Sequence, residues 1–562
     1  MTPETTVVRP TPWSGAGRGR WLVALGITGL AAIATLAAIL VLGGRQAPEA
    51  LRYVPADAVV VAELRLDLPG DQLQKVGNLL AHFPGFADQS TLAQKLDEAG
   101  DRLVGLLSNG ETSYTGDLKP WVSGPVFAAV RGIEAGPRLD PRPNWLLVAT
   151  TNGAVGCGQL FDGRPTTTET YRGLEMRVLK GQAEACVEAD RHVVFGDVDS
   201  VKAGLDAQAD GDGIDASGRY RTARAALSGD QLGTVYVSGD ALERLGQLSG
   251  AIRAGSAMPF GMSLPEWSIM GVRAEDDALI VDSVSSPLPA PSAAPSLLSL
   301  APGHASELTR YVPGSAIAYA EVQGAGAGVV NALTLLRAEP AFAPPLAELD
   351  QILATFGGAD ELLGWASDAG VVIVADESDE AGGVSGGVLL LAADEATAEA
   401  RVATFRGLLA VAVLGGVAEL ETSMVGSIEV TTATIQLEGP LTAHPVEFSF
   451  ALRDRLVVVG TDADFLADIL FPGGGRSLAE VPEYRTAVAR GLSPAQLSLY
   501  VSIDEAVSLA RANPAMGADD AFDTEFQQYL APIDAVLLTA FEADGASRMR
   551  VVMTVSSTPV SP

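Results

Sequence analysis

Cysteine is nearly absent from this chain: Cys157 and Cys186 are the only two in 562 residues. Two thiols cannot staple a disulfide-rich scaffold, and they fall short of the four thiolates of an all-cysteine zinc site. Histidine is almost as scarce. His82, His192, His304 and His444 are scattered, with no H-x-x-x-H or H-E-x-x-H spacing to favour a local metal motif. Positive charge is short as well, with 37 Lys and Arg against 69 Asp and Glu and a formal charge of −32. Nucleic acid needs clustered cations to displace its counterions, so such a chain is not expected to bind it. Apolar residues are not lacking. They make up 48% of the sequence at a mean hydropathy of +0.24, which excludes a chain disordered throughout. The length accommodates about two to four domains.

One stretch has no charge at all. Residues Trp21 to Gly43 form 23 uncharged positions, and only Thr28 and Thr35 carry side-chain hydroxyls. At about 1.5 Å per residue a helix of this length crosses the roughly 30 Å hydrocarbon layer. Arg18 and Arg20 abut it on the N-terminal side, which places residues 1–20 in the cytoplasm and everything after Arg45 outside. The charge divides accordingly: three basic and one acidic side chain before the run leave +2, and the remaining 34 basic and 68 acidic give −34. The run exceeds the usual h-region of about 7–15 residues. No clear A-x-A cleavage site precedes Arg45 and no lipobox cysteine lies near, so a retained anchor is expected rather than a cleaved signal. The expected location is the cell membrane, single-pass, with the bulk of the chain extracytoplasmic.

Beyond the anchor the sequence repeats. Arg52-Tyr53-Val54-Pro55 returns as Arg310-Tyr311-Val312-Pro313, Tyr220-Arg-Thr-Ala223 as Tyr484-Arg-Thr-Ala487, and Val235-Tyr-Val-Ser238 as Leu499-Tyr-Val-Ser502. Arg191-His-Val-Val-Phe-Gly196 matches Arg455-Leu-Val-Val-Val-Gly460, and Leu279–Ser286 matches Arg550–Ser557. The matches keep their order, so they read as a duplication of about 240 residues, too long for a solenoid repeat. Residues 51–286 form unit one and 310–557 unit two, joined by a proline-rich linker at 287–309. A shorter linker, Gly44 to Ala50, follows the membrane run. Tyr53, Pro55, Trp121 and Tyr220 anchor the first unit, as Tyr311, Pro313, Trp365 and Tyr484 anchor the second.

Within each unit, hairpin-spaced strands in runs are interrupted by helices. This predicts an α+β fold with largely antiparallel sheets. Leu73, Val76, Leu79 and Leu80, then Leu92, Leu96, Leu103 and Leu106, have helical spacing, as do Val330, Leu333 and Leu336 and then Leu346, Leu349 and Leu353. A helix is expected near 153–162 with a counterpart at 394–413. Asp197 and Asp462 are expected N-caps.

Few residues carry chemistry. Cys157 and Cys186, both outside the membrane, form either a disulfide, favoured by the oxidising milieu, or two buried free thiols. Gly383-Val-Ser385-Gly-Gly387 matches G-x-S-x-G, but a nucleophile elbow must open a helix. Here a strand follows, so a hairpin loop is expected. Gly324-Ala-Gly326-Ala-Gly328 lacks a Walker lysine and reads as a small-residue turn. Asp206, Asp210, Asp212 and Asp215 fail the EF-hand spacing and read as a solvated acidic loop. Trp121 and Trp365 read as core anchors. No catalytic set, cofactor site or metal site is expected.

The unit opening Y-V-P-x-D/S-A, two helices, and then Leu118-Lys119-Pro120-Trp121-Val122-Ser123-Gly124 before a strand resemble a bacterial domain-of-unknown-function family, number three-three-five-two. In unit two Trp365 persists, whereas Lys-Pro becomes Leu363-Gly364. The resemblance implies an anchored envelope protein with a large α/β region and brings no activity. The leading expectation is therefore a membrane-anchored binding or scaffold module for an unknown envelope protein or ligand. The alternative is a carrier of a lipid or cell-wall precursor in a cleft. An envelope hydrolase would need a nucleophile–base pair that the linear sequence does not assemble.

Overall fold

The computed structural model describes residues 48–556, apart from 66–70, 87, 108–112, 136–140, 154–155, 162–163, 182, 249–263, 288–302, 339–357, 377–382, 436–445, 472–475, 513–526 and 544. The expected membrane run at 21–43, most of the proline-rich linker, the helix expected around Leu346 to Leu353, and His444 lie outside the described residues. No helix among the described residues is long and apolar enough to cross a membrane.

The first half contains β1 (Val60–Arg65), β2 (Val122–Ala135), β3 (Pro141–Thr151), β4 (Thr166–Tyr171), β5 (Leu174–Leu179), β6 (Glu184–Ala189), β7 (His192–Asp197), β8 (Gly233–Ser238), β9 (Trp267–Glu275) and β10 (Ala278–Ser285). The second contains β11 (Ala318–Gln323), β12 (Ala366–Asp376), β13 (Gly383–Ala392), β14 (Ala418–Val425), β15 (Ile428–Ile435), β16 (Val446–Arg453), β17 (Leu456–Gly460), β18 (Leu497–Ser502), β19 (Ile533–Ala543) and β20 (Ala546–Val555). Helices of the first half are α1 (Gln72–Leu80), α2 (Leu92–Leu107), α3 (Cys157–Leu160), α4 (Val198–Asp210), α5 (Gly218–Ala226) and α6 (Gly239–Leu248). Those of the second are α7 (Ala325–Ala338), α8 (Ala359–Leu363), α9 (Glu395–Leu414), α10 (Ala463–Leu470), α11 (Pro482–Arg490), α12 (Ile503–Ala512) and α13 (Gln527–Leu530).

The fold is α+β, and every strand pair is antiparallel. In the first half the strands lie in the order β4-β5-β6-β7-β3-β2-β1-β8-β9-β10. The second half continues from β10 as β20-β19-β18-β11-β12-β13-β17-β16-β15-β14. One 20-stranded sheet results. Its second half repeats the first in reverse about the β10–β20 pair. If Leu279 is matched with Arg550, exchange of the halves sends the pair Ile280–Val552 onto Val551–Val281, so this register maps onto itself.

Local chemistry accounts for the elements. Arg172 and Gly173, with φ of 51° and 80°, close the two-residue β4–β5 hairpin; two positive φ values match its turn to the strand twist. Asp197 caps α4 by accepting from the Ser200 N–H at 2.9 Å, and Asp462 caps α10 by accepting from the Phe465 N–H at 2.7 Å. Alternation along the strands separates two packed faces. Leu389, Leu391, Leu456 and Val458 join the core under α10 and α11, whereas Leu390, Val457 and Val459 face α9. The outermost strands, β4 (TTTETY) and β14 (AELETSMV), are mostly exposed; β4 is polar and β14 mixed, with Leu420 and Met424 exposed on it.

The seam is held by side chains as well as backbone. Buried Asp282 on β10 faces Arg550 on β20, whose Nε donates to it at 2.6 Å, and Arg273 on β9 donates to its other oxygen. Arg490 on α11 donates to both oxygens of Asp277 at 2.5 and 2.7 Å, pairing the second half with the β9–β10 turn of the first. Removing one partner from a buried ion cluster costs about 3–5 kcal/mol, because the remaining charges stay desolvated. Val76 and Leu79 of α1 share a core cluster with Ile533 and Met553, so apolar packing also crosses the seam.

Several expectations need correction. The helix expected at 153–162 is a single turn, α3. The G-x-S-x-G segment lies within β13, not in a hairpin loop. The short linker does not extend to Ala50, which is fully buried in a 3-10 turn at Glu49–Tyr53. Residues 303–309 do not belong to a free linker either. Gln323 donates to the His304 carbonyl, and Leu308 is buried.

Asp534, at the start of β19, records the cost of this acidity. Burial pushes its carboxyl up to about 6, helped by Glu483, Asp504 and Asp277. A folded-state pKa above the unfolded value of about 3.9 means that folding takes up a proton. The associated stability is therefore present at low pH and is lost as pH rises through about 6. Asp534→Asn is expected to raise Tm at about pH 7.5 and to raise it much less at about pH 4.5, as read by thermal unfolding at both values.

Candidate ligand cavity

The two tryptophans occupy matching places with different surroundings. In the first half, Trp121 is 1% exposed and its indole N–H donates to the Asp117 carbonyl. It packs with Ala149, Phe161, Leu179 and Val193 around Cys157 and Cys186. Those cysteines form a disulfide with Cα atoms 5.6 Å apart, tying α3 to β6. Phe161 and Trp145 meet the Phe195 ring edge-on at 5.9 and 5.0 Å, closing the region as solid core.

In the second half the matching region is open. The 20-residue α9 stands where the first half has the four-residue α3, and Phe450 takes the place of Cys186 on the matching strand. A cavity of about 340 Å³ lies between α7, α8, α9 and the sheet. Trp365, Leu390, Phe405, Val457 and Val459 are among its walls. Trp365 donates its indole N–H to the Leu362 carbonyl at 2.9 Å, fixing α8 at one end. Gly326 lets α7 approach closely, because a Cβ there would lie 2.5 Å from the Gly364 carbonyl oxygen. Among the described residues the only charged group on the wall is Arg401 of α9. It contacts Glu361, and its Nε is buried without an acceptor. The cavity is thus an apolar slot of ligand-binding size with one cationic donor at its side.

The remaining sequence-selected residues serve the scaffold. Tyr53 lies 5.2 Å from the His192 ring, and burial pulls that imidazole below its usual value. Pro55 bridges to Gly213, as Pro313 does to Ser477. Tyr220 meets Tyr236 edge-on at 5.3 Å, and Tyr484 meets Tyr500 at 5.0 Å. Tyr311 lies under Arg310 at 4.7 Å. Ser385 donates to Asp462 at 2.8 Å and supports that helix cap from within a strand. Gly324 turns the chain at φ 69°, ahead of α7. Asp206 and Asp210 are engaged by Arg172 at 2.7 and 3.0 Å. Among the described residues no group of His, Cys, Asp and Glu is arranged to hold a metal. The cavity itself was not legible in the sequence. The nearest signal was the lone Arg401 within the otherwise apolar and small-residue face of α9.

The family described as "Protein of unknown function (DUF3352)" matches residues 19–555, and the chain belongs to it. None of the curated proteins compared with the chain matches it. Among solved structures, crystal form I of TP0453 is similar at 9% identity over 43% of this chain and 79% of that one, with a TM-score of 0.24. Crystal form III gives 8% identity over 42% and 78%, with a TM-score of 0.22. Overlap this slight carries no argument about fold or function.

The bridge closes a loop between residues separated by 29 positions. Its removal frees the unfolded chain by the equivalent of about 3 kcal/mol. Reduction, or a paired Cys157→Ala and Cys186→Ala exchange, is expected to lower Tm in thermal unfolding without displacing a ligand from the second-half cavity.

Proposed function

We propose that this protein is a single-pass, N-terminally anchored envelope protein built from two copies of one α+β unit, and that its second unit holds an apolar or amphiphilic ligand of the lipid or lipid-linked precursor class. The cavity beneath α9 carries the ligand reading. Its walls are almost wholly apolar, and the matching position in the first half is packed by Trp121, Phe161 and the Cys157–Cys186 bridge. Apolar walls favour an acyl or prenyl chain through the hydrophobic effect, about 0.8 kcal/mol per buried methylene. The Arg401 Nε–H supplies a donor for a polar or acidic head.

Duplication is supported by the repeated motifs, the repeated strand order, and the paired bridges Pro55–Gly213 and Pro313–Ser477. Anchoring is supported by the 23 uncharged residues after Arg18 and Arg20 and by the −34 carried beyond them. An acidic exported body stays soluble beside an anionic membrane.

Two measurements test the reading. A fluorescent long-chain fatty acid should bind the full chain saturably, and Ala369→Phe, which fills the cavity, should abolish binding while the unfolding midpoint stays close to wild type. Equal binding by the filled variant overturns the ligand reading. In spheroplasts, added protease should digest the region after Arg45; complete protection overturns the topology.

A further inference from the structure

A second pocket, of about 400 Å³, lies on the opposite face of the same half. Its significance emerges from comparison with the first half. There Glu63 of β1 is buried and forms a two-pronged ion pair with Arg224 of α5. Arg224 Nη2 lies 3.3 Å from Glu63 Oε1, and the Thr234 hydroxyl donates to the other oxygen at 3.2 Å. The second half keeps the acid as Glu321, at the same point of the repeated Y-V-P segment, and keeps a hydroxyl as Ser498, opposite Glu321 on β18. It does not keep the arginine. In the shared Tyr-Arg-Thr-Ala helix, the position of Arg224 is filled by Val488.

Glu321 is therefore an acid without the built-in guanidinium that Glu63 has. It is 2% exposed, and its Oε1 has no hydrogen-bond partner among the described residues, while Tyr319 donates to Oε2 at 2.7 Å. Glu321, Ser498 and Val488 all line the pocket. The neighbouring cations do not substitute for Arg224. His304 is engaged by Asp368 at 3.2 Å and lies 2.9 Å from the Ala305 carbonyl. Arg485 stands where the first half also has an arginine, Arg221, and is exposed. Burial, helped by Asp368, pushes the Glu321 carboxyl up against the lowering effect of hydrogen bonds from Ser306 and Tyr319 and of nearby His304, as expected for a buried acid without a guanidinium paired to it.

The geometry points to this pocket as a binding site for a guanidinium group, with Glu321 as its acceptor and the volume vacated by Arg224 as its seat. A buried carboxylate matches the planar guanidinium fork in the way Glu63 already demonstrates. The group comes either from a free cation or from an arginine side chain of a partner protein. This site is independent of the apolar cavity, so failure of one leaves the other standing.

The test uses the full chain, titrated calorimetrically with agmatine and with a short peptide carrying one central arginine. Binding of agmatine supports a small-cation ligand. Binding of the peptide alone supports a partner's arginine. In either case Glu321→Gln should weaken binding at least about tenfold. Val488→Arg should supply the missing guanidinium in cis, abolish binding of both probes and raise Tm. The inference is overturned if wild type binds neither probe, or if Glu321→Gln binds as wild type does. Undiminished binding by folded Val488→Arg overturns it equally.

Discussion

The antiparallel pairing of β10 with β20 is the constraint on which the rest of the structure depends. Each half alone would end in an unpaired strand carrying an apolar run, Ala278–Val281 in β10 and Val551–Met553 in β20, an edge prone to pairing with any other chain. Joining the two halves edge to edge satisfies those backbone groups. It leaves the exposed strands β4 and β14 at the rims. Asp282 then sets the register: between Arg273 and Arg550 it is neutralised, and a slip by one residue would turn it to the opposite face and strand the arginines. The two halves are one folding core, because α1 of the first packs on Ile533 and Met553 of the second.

The strand order of the first half recurs in reverse in the second, so strands have counterparts whose differences mark where the scaffold is not fixed by packing alone. The tyrosine pairs, the proline bridges and the capping aspartates agree in both halves, which identifies them as structural. Two places disagree. Around the tryptophans, one half is closed by a disulfide and phenylalanines, whereas the other is opened beneath a long helix. Around the β1 and β11 glutamates, one half carries an ion pair and the other a pocket. Both openings fall in the second half, on opposite faces. The two halves thus share a scaffold and differ at these two places, each of which opens in the second half.

Much of this was legible from local signals. The α+β class and the caps at Asp197 and Asp462 followed from hairpin-spaced strands in runs interrupted by helices and from short polar side chains before apolar helices. The edge strand β4 was missed because TTTETY lacks apolar alternation, and α3 was overextended because one turn leaves no periodicity to read. Register across the seam was out of reach, since β10 and β20 lie about 270 positions apart and nothing local pairs them.

The replacement of Arg224 by Val488 was printed in the sequence, yet it had no meaning there. A valine after Tyr-Arg-Thr-Ala is unremarked until the fold places that helix face over a glutamate 167 positions away. The physical asymmetry is then sharp. A buried carboxylate with its guanidinium is tolerable, whereas the same carboxylate without one must be protonated or find a cation. A chain needing only stability had the simpler course of replacing Glu321 along with Arg224, because an apolar pair of similar volume is often as stable as the ion pair. Retention of the acid, with Tyr319 held to it in place of Val61, leaves the pocket poised for charge rather than filled with core.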